Sequence, residues 1–474
     1  MTPPPLDVGA GGHPLRYERL VWRGGLAALG ACFVAGLAVV ALEPMWAWLL
    51  PTAALLGWGL TALPRRVGTP LLVVLALFAL VSGHSEGLQP QEVLFALVQA
   101  VYITWWFGTR LFVFDEPVLQ DACDALMMAF LAYVPLSLFL TVLFGGDLAS
   151  AATECLALSM LSLYFPIREL IQMDEGGLRL VVGVALAFGV VGAFRVLGSL
   201  RAALSDAEYA WQVAQGRVPM NEVLLYSASL LSLCLAGMTR RWRGRAILTF
   251  AFTVFTAGMI MTQWRAYYVG WAVAVGALMV WGSNRIRVTT LQVGALAAVV
   301  GGVLVVAVLG ESVIIAVVGI AERIASIATA NSSDVSLLNR YLEYEALWPV
   351  LLESPVLGHG PGVSFSFYDA IFQATWTKSY AHNTYLILWF KFGLVGLLLF
   401  VGVWGSTIWS TLRLSRSGRT ALDRSVALYV AVALAGLTVS SIVAVTLVTD
   451  DTAFGFAVLF GLGAGLRARA QAPG

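Results

Sequence analysis

Apolar runs of membrane-spanning length recur along almost the whole chain and constrain its fold more than any other feature. A helix that spans a bilayer needs roughly 20 mostly apolar residues. Such runs fall at 24–43, 45–63, 67–83, 93–114, 122–145, 148–166, 178–199, 221–239, 246–263, 266–282, 290–310, 384–409, 425–448 and 452–466. Only 12% of the residues are charged, against about 25% in soluble domains. The sequence therefore predicts an all-α polytopic membrane protein with about 14 transmembrane helices, or about 12 to 14 if the shortest runs do not span.

The four cysteines, Cys32, Cys123, Cys155 and Cys234, all lie inside apolar runs. Thiols in such surroundings behave as small packed hydrophobes. We therefore expect neither a disulfide nor a cysteine-based metal site.

The basic residues are distributed unevenly between alternate loops. Lys and Arg accumulate in the cytoplasmic loops of membrane proteins, and with the N-terminus in the cytoplasm 20 of the 28 basic residues lie on that side. The other eight are Arg195, Arg201, Arg217, Arg265, Arg323, Arg340, Lys378 and Lys391. Both chain ends are therefore predicted to be cytoplasmic, and the one long loop is predicted to face the periplasm or the cell exterior.

This orientation divides the chain into five segments. They are a cytoplasmic N-terminal segment at 1–23, transmembrane helices 1–11 at 24–310, a periplasmic loop with interfacial helices at 311–383, transmembrane helices 12–14 at 384–466, and a cytoplasmic tail at 467–474.

A short outward loop at 201–220 holds Arg217 and two acidic residues, Asp206 and Glu208. An arginine on the outward side is a candidate site residue, because positive charge resists placement there. Carboxylates bind metals, but two acids at this spacing are common in any sequence. The sequence therefore predicts no metal site in this loop.

Arg265 lies between two apolar runs in the aromatic-rich stretch Thr262–Tyr268. One interpretation is an interfacial aromatic belt with an arginine that reaches the membrane surface. The other is an anion clamp at the rim of a cavity, because a guanidinium offers five donors that match phosphate oxygens.

The polar stretch Asn331–Gly396 interrupts the apolar pattern and holds two of the four histidines. A helix is predicted to run from a cap at Asn331 to about Leu352 and to stop before Pro355. Arg340, Tyr344 and Trp348 recur on it at four-residue spacing and share one face. Tyr341 and Glu345 lie beside that face. An amphipathic helix with a charged edge is the alternative to a phosphate-binding face.

The turn Ser354–Gly362 contains three glycines around His359. Glycines permit positive φ and the close approach of backbone to a ligand, and a tight turn without a ligand fits them equally well. For His359 we expect a structural role.

His382 and Asn383 directly precede the next apolar run. A histidine at the end of a membrane helix is well placed for proton transfer near neutral pH. A helix cap made by the His-Asn pair is the simpler alternative.

The order of these elements resembles the O-antigen ligase/polymerase family of bacterial envelope glycan enzymes. The resemblance rests on Arg265, on Arg340-x-x-x-Tyr344-x-Ala346-Leu347 with Pro355-x-x-Gly358-x-Gly360, and on His382-Asn383-x-Tyr385-Leu386 with Gly393-x-x-Gly396. Trp264 stands where the family often has serine, and Lys391 stands close to a position that is often acidic. The resemblance implies a glycosyltransferase C-like fold in the bacterial inner membrane, with the site on the periplasmic face.

The resemblance also implies roles for the residues at the matching positions. His382 is the expected base, and Arg265, Arg340 and Arg217 are expected to bind the diphosphate of a lipid-linked donor. Contacts to glycan or lipid are expected from Tyr344, Trp348, Tyr385 and Asn383. No metal and no cofactor are expected, because a diphosphate leaves as a stable anion.

The implied reaction transfers a glycan from undecaprenyl diphosphate to an acceptor sugar hydroxyl, with inversion. A polymerase that extends O-antigen or exopolysaccharide is slightly favoured. The alternative is a ligase that acts on lipid A core or on a protein, and a transporter of lipid-linked oligosaccharides is the alternative from another class. Membrane lipid is the expected surrounding, and no nucleic acid is expected to bind.

Overall fold

The computed structural model describes residues 48–82, 90–114, 117–205, 222–262, 264–309, 335–370, 372–447 and 449–471, with Val318, Ala321 and Ala325. The N-terminal segment 1–23, the first predicted span at 24–43, Arg217 and nearly all of the predicted interfacial segment before 335 lie outside these ranges.

Helices account for most of the described chain. In chain order they are α1 (Leu49–Ala62), α2 (Arg65–Ser82), α3 (Pro90–Thr109), α4 (Ala122–Leu136), α5 (Leu138–Leu143), α6 (Leu148–Ser159), α7 (Tyr164–Met173), α8 (Glu175–Ser205), α9 (Glu222–Met238), α10 (Trp242–Met261), α11 (Arg265–Trp281), α12 (Asn284–Leu309), α13 (Val335–Glu353), α14 (Thr384–Ser417), α15 (Ala421–Val443) and α16 (Asp450–Gln471). Two strands, β1 (Phe365–Asp369) and β2 (Ala374–Lys378), lie between α13 and α14.

Nine helical segments in the described ranges are long and apolar enough to cross a membrane. They are Pro90–Phe114, Ala122–Leu143, Leu148–Met173, Glu175–Ser199, Trp242–Met261, Asn284–Val303, Thr384–Ser417, Ala421–Val443 and Asp451–Gln471. The helices Leu49–Ala62 and Glu222–Met238 are apolar but shorter. The chain is thus a helical multi-pass membrane protein, and the count of about 14 spans stays a prediction.

The chain divides into two compact units, one formed by 1–75 and 85–120 and the other by 76–84 and 121–474. In the first unit α1 packs closely on α3, where a Cβ on Gly57 would lie 2.8 Å from the Val101 side chain. The hydroxyls of Thr69 and Tyr102 lie 2.8 Å apart and join α2 to α3.

In the second unit, α14 packs against α4, α15 and α16. Aromatic rings from three of these helices meet around its middle: Phe130 on α4, Phe392, Phe400 and Trp404 on α14, and Phe456 and Phe460 on α16. Rings bury large apolar areas, and this cluster holds α14 in place within the helical core.

The loop before α14 contains an antiparallel hairpin that the sequence analysis did not predict. β1 pairs with β2 in the register Phe365 with Lys378 and Phe367 with Trp376. Phe365 and Phe367 are buried and join the core under α13, while Ser366 and Tyr368, which alternate with them, are exposed. The prediction of helices alone in this loop was therefore incomplete, because the period-two pattern of β1 spans only five residues.

Ion pairs and hydrogen bonds join the helices at one end of the second unit. At the end where α14 finishes, Arg467 bonds to Asp121 at 2.9 Å and to Ser410 at 3.0 Å. Arg469 at the end of α16 pairs with Asp423 at the start of α15. This end carries the arginine-rich turns, and the opposite end carries the start of α14 and the hairpin.

Candidate active site at the start of α14

Asn383 caps the first turn of α14. Its side-chain oxygen accepts the backbone N–H groups of Tyr385 and Leu386 at 3.0 and 3.1 Å. An Asn cap satisfies donors that the helix start leaves unpaired, so this residue has the capping role that the simpler interpretation gave it. The cap fixes where α14 begins, and hence the position of His382, the residue before the cap.

Glu343 on α13 and His382 form a carboxylate–imidazole pair. Glu343 Oε2 lies 2.8 Å from His382 Nδ1, and Oε1 lies 3.0 Å from the same nitrogen. The backbone N–H of His382 donates to Oε2 at 3.1 Å. One carboxylate thereby holds both the ring and the main chain of the histidine.

Exposure differs sharply between the two partners. The Glu343 side chain is 1% exposed and the His382 side chain 35% exposed. The pair therefore offers the imidazole to a substrate and keeps the carboxylate behind it. With Nδ1 at the carboxylate, a neutral ring carries its proton there and leaves Nε2 as a proton acceptor.

The charge of Glu343 is maintained by its neighbours. Burial alone would raise its pKa, but the hydrogen bonds and charge of His382 and the charge of Lys378 outweigh burial, and the pKa lies below its ordinary value. Lys378 Nζ, at the end of β2, lies 3.4 Å from Glu343 Oε1. Glu343 is thus ionised at neutral pH, next to the His382 ring.

Tyr344 and Arg340 lie on the same helix as Glu343. The Tyr344 hydroxyl donates to the carbonyl of His382 at 3.0 Å. Burial raises the pKa of Tyr344, and the charge of Arg340 acts in the opposite direction. The phenol therefore positions the histidine main chain, and the Arg340 guanidinium lies within electrostatic reach of the same group.

Arg265 is the first residue of α11, and this helix starts against the end of α15. The Ser440 hydroxyl, near the end of α15, donates to the carbonyl of Ala266 at 2.9 Å. This bond fixes the first turn of α11, and hence the position of Arg265, relative to the end of α15.

The neighbouring serine does the same for α14. Ser441 Oγ lies 2.6 Å from Thr446 Oγ1, which lies 2.9 Å from Thr384 Oγ1. Thr384 also donates to the carbonyl of Ala444 at 2.8 Å. The starts of α11 and α14 are thus tied to the same helix end, so Arg265 and His382 occupy one layer of the protein.

The glycine turn after α13 inserts into a break in α14. Gly393 has φ of 63° and interrupts the helix. The N–H groups of Leu394 and Val395 donate to the carbonyls of Pro355 and Val356 at 2.9 and 3.2 Å. In return, loop N–H groups at 359 and 360 donate to the helix carbonyls at 390 and 391, both at 2.9 Å.

The glycines in this turn allow contact between two backbones. A Cβ on Gly358 would lie 2.4 Å from the backbone nitrogen of Gly393, and a Cβ on Gly393 would lie 2.1 Å from the carbonyl oxygen of Val356. Of the two interpretations from sequence, ligand approach or tight turn, these contacts favour the turn.

Lys391 and Glu154 form a buried ion pair behind the turn. Lys391 Nζ lies 3.0 Å from Glu154 Oε1 and donates to the carbonyl of Val363 at 2.6 Å. The other carboxylate oxygen accepts the N–H of Gly362 at 3.1 Å. Lys391 on α14 is thus joined to α6 and to the turn.

His359 is buried between two aromatic rings. Its ring centroid lies 4.5 Å from that of Phe144 and 5.1 Å from that of Phe390. Burial lowers the pKa of His359, so the ring is neutral near pH 7. These contacts agree with the structural role that we expected.

Two further predicted contact residues occupy different surroundings. Tyr385 donates its hydroxyl to the carbonyl of Thr438 at 3.0 Å and stacks on Trp404, so it packs between α14 and α15. Trp348 is 48% exposed and meets Trp389 edge-on, so its outer face remains accessible.

The sequence patterns did not single out Glu343, and they placed Lys378 only among the eight outward basic residues. Glu343 and His382 are 39 positions apart, so no local spacing connects them. The signal in the sequence that could have indicated Glu343 is its place three positions after Arg340 and one before Tyr344 on the same predicted helix.

In the described ranges, no group of three or more His, Cys, Asp or Glu side chains is arranged to hold a metal ion. Metal independence stays a prediction.

Residues 249–401 match the protein-family model described as O-antigen ligase. The matched stretch includes α11, α13, the hairpin and the start of α14, and hence Glu343, His382, Tyr344 and Lys378. The match supports membership of the chain in the O-antigen ligase/polymerase family, so the family predicted from the motifs is confirmed. No curated protein matches the chain.

Proposed function

We propose that the protein transfers a glycan from a polyprenyl-diphosphate carrier to a sugar hydroxyl, with His382 as the base and Glu343 as its positioning residue. The observation that carries the proposal is the pair itself. It combines a buried, ionised carboxylate with a partly exposed imidazole inside the region that matches the O-antigen ligase family.

In the proposed step, His382 Nε2 takes the proton of the acceptor hydroxyl. The oxygen attacks the anomeric carbon of the donor, and the bond from that carbon to the diphosphate oxygen breaks. The electron pair leaves with the diphosphate, and one displacement inverts the anomeric centre. A positioned base of this kind contributes about 10²–10⁴-fold.

Arg265 and Arg340 are the proposed diphosphate contacts. Guanidinium groups bind phosphate oxygens through paired hydrogen bonds and stabilise charge that develops on a leaving group. The tie of α11 to the end of α15 and the reach of Arg340 to Tyr344 support their place at the site. Arg217 is proposed on the resemblance alone.

A groove of about 490 Å³ is the proposed binding place for the lipid part of the donor. It lies between α10, α11 and α12, and its lining includes Phe252, Trp271, Gly294, Ala298 and Gly301. Trp271 donates its indole N–H to Ser229 at 3.1 Å, which leaves an apolar ring face towards the groove. Such a lining suits a hydrocarbon chain.

The particular donor proposed is an undecaprenyl-diphosphate-linked glycan, used on the periplasmic face of a bacterial inner membrane. Polymerase and ligase differ in the acceptor, which is a second lipid-linked glycan for one and lipid A core or a protein for the other. Deletion of the gene followed by glycan analysis separates them. Loss of long chains with single repeats retained indicates a polymerase, and long chains left on the carrier indicate a ligase.

The break in α14 does not favour the alternative function, transport of lipid-linked oligosaccharides. Transporter helices are broken where freed backbone groups hold the substrate. Here the groups freed around Gly393 bond to the glycine turn.

The test of the proposal is His382→Ala in the purified full chain, reconstituted in vesicles with lipid-linked donor and acceptor. Transfer is expected to fall at least about 100-fold, and the variant is expected to remain folded. Thr375→Ala, at an exposed hairpin position, is the matched control and keeps wild-type transfer. Turnover of the His382 variant at the wild-type rate would remove the histidine from the mechanism.

A further inference from the structure

A row of side chains leads from the tip of the hairpin to the proposed base. The rings of Phe372 and Trp376 lie 5.3 Å apart. Lys378 Nζ lies 5.6 Å from the Tyr380 ring, which meets the His382 ring at 6.1 Å. Trp376 and Lys378 lie two positions apart on β2, so the row leads from the hairpin tip to the catalytic pair.

The row has a regular origin in the sequence. Side chains two positions apart in an extended chain point to the same side, and Trp376, Lys378, Tyr380 and His382 occupy alternate positions along β2 and the segment after it. The ring pair at Phe372 and Trp376 and the contacts from Lys378 through Tyr380 to His382 involve several successive side chains. Several adjacent contact positions suit a chain of sugars better than a single ring.

The aromatic members of the row are accessible. Phe372 is 66%, Trp376 43% and Tyr380 39% exposed. Lys378 is only 18% exposed in its side chain and is held by Glu343. The row thus offers ring faces to a ligand, while its one ammonium group stays with the carboxylate.

Ring faces of this kind suit sugars. The negative face of an aromatic ring attracts the C–H groups on the apolar face of a sugar ring.

We propose that Trp376 and Tyr380, with Phe372 at the tip, bind the acceptor glycan and deliver its hydroxyl to His382. The proposal rests on the proposed function, because the proton that His382 removes belongs to the acceptor. It assigns the acceptor to the hairpin side of His382 and the donor diphosphate to the side of Arg340 and Arg265.

The first experiment measures transfer by the full chain in vesicles, with saturating donor and varied acceptor. Trp376→Ala and Tyr380→Ala are expected to raise the acceptor KM about tenfold and to change kcat and the donor KM by less than about twofold. Trp376→Phe and Tyr380→Phe keep a ring and restore the acceptor KM to within about twofold of wild type. An unchanged acceptor KM in both alanine variants would overturn the proposal.

Tyr368→Ala is the matched control. Tyr368 is 51% exposed and lies on the opposite face of the same hairpin, since it alternates with the buried Phe367. It is expected to keep the wild-type acceptor KM. An equal rise in this variant would indicate damage to the hairpin and would contradict the assignment to the row.

A binding experiment separates this proposal from the proposed function. The probe is the oligosaccharide released by mild acid from the lipid-linked glycan of the source cells, titrated into the His382→Ala chain without donor. Binding that Trp376→Ala weakens about tenfold supports the row even if no transfer is found. If the wild type transfers the glycan but Trp376→Ala does not weaken binding of the oligosaccharide, the row is not the acceptor site. The proposed function would still stand in that case.

A membrane contact is the competing use of these rings. A fluorophore at Phe372→Cys in vesicles is expected to be quenched by aqueous iodide and not by brominated phospholipid. Quenching by the lipid, unaffected by the oligosaccharide, would assign the row to the bilayer surface instead.

Discussion

Glu343 reaches His382 with both carboxylate oxygens, one at 2.8 Å and one at 3.0 Å from Nδ1, and also accepts the histidine backbone N–H. A residue held at the ring and at the main chain has little freedom to turn. The orientation of the imidazole is therefore set before any substrate arrives, which is the condition for an efficient base.

Glu343→Gln should separate orientation from binding. An amide oxygen accepts the Nδ1 proton less strongly than a carboxylate and does not stabilise an imidazolium, so kcat is expected to fall about 100-fold. KM for donor and acceptor should change by less than about twofold. Glu345→Gln, two positions along the same helix and exposed, serves as the control, and a wild-type kcat for Glu343→Gln would refute the positioning role.

Acid should weaken the contribution of Glu343 to stability. Its pKa in the folded protein lies below the ordinary value of 4.5, so between these two values the unfolded chain binds more protons and stability rises with pH. The contribution is fully present above about pH 5 and is lost as pH falls through the folded pKa. Unfolding temperatures of wild type and Glu343→Gln in detergent should converge on acidification, and a gap that widens would contradict this sign.

Gly393→Ala tests the insertion of the glycine turn into α14. A Cβ there would meet the carbonyl of Val356 at 2.1 Å, and φ of 63° disfavours any side chain. The expected loss is about 1–3 kcal/mol from strain, with more from the contact. Gly405→Ala, on the same helix with nothing within 4 Å of its Cβ, should be neutral or stabilising by up to about 1 kcal/mol. Similar unfolding temperatures for the two variants would count against the insertion.

Lys391→Met tests the buried ion pair. Removal of one partner leaves Glu154 charged behind the turn, and such a change costs about 3–5 kcal/mol. The double variant Lys391→Met with Glu154→Gln should recover part of that loss, because no unpaired charge remains. The exposed pair Arg179–Glu175 provides the contrast, since its loss should cost at most about 0.5 kcal/mol. A single variant as stable as wild type would show that the pair does not hold the turn.

The sequence by itself determined the membrane class, the places of the helices and the family. Each apolar run from 45 onward corresponds to one or more helices in the described ranges, because hydrophobicity over roughly 20 residues is a local property that the bilayer selects. The end of α13 before Pro355 was likewise a local effect of proline on the residue before it. His382 and Arg340 were predicted as site residues because they belong to short motifs on which the resemblance to the family rests.

Only the tertiary structure decided which charges meet. Glu343 and His382 lie 39 positions apart, and Lys391 and Glu154 lie 237 positions apart. A buried carboxylate needs a partner, but composition and spacing do not say which of several distant cations supplies it. That choice follows from how the helices and the hairpin pack, since packing brings these side chains within hydrogen-bond distance and excludes water around them.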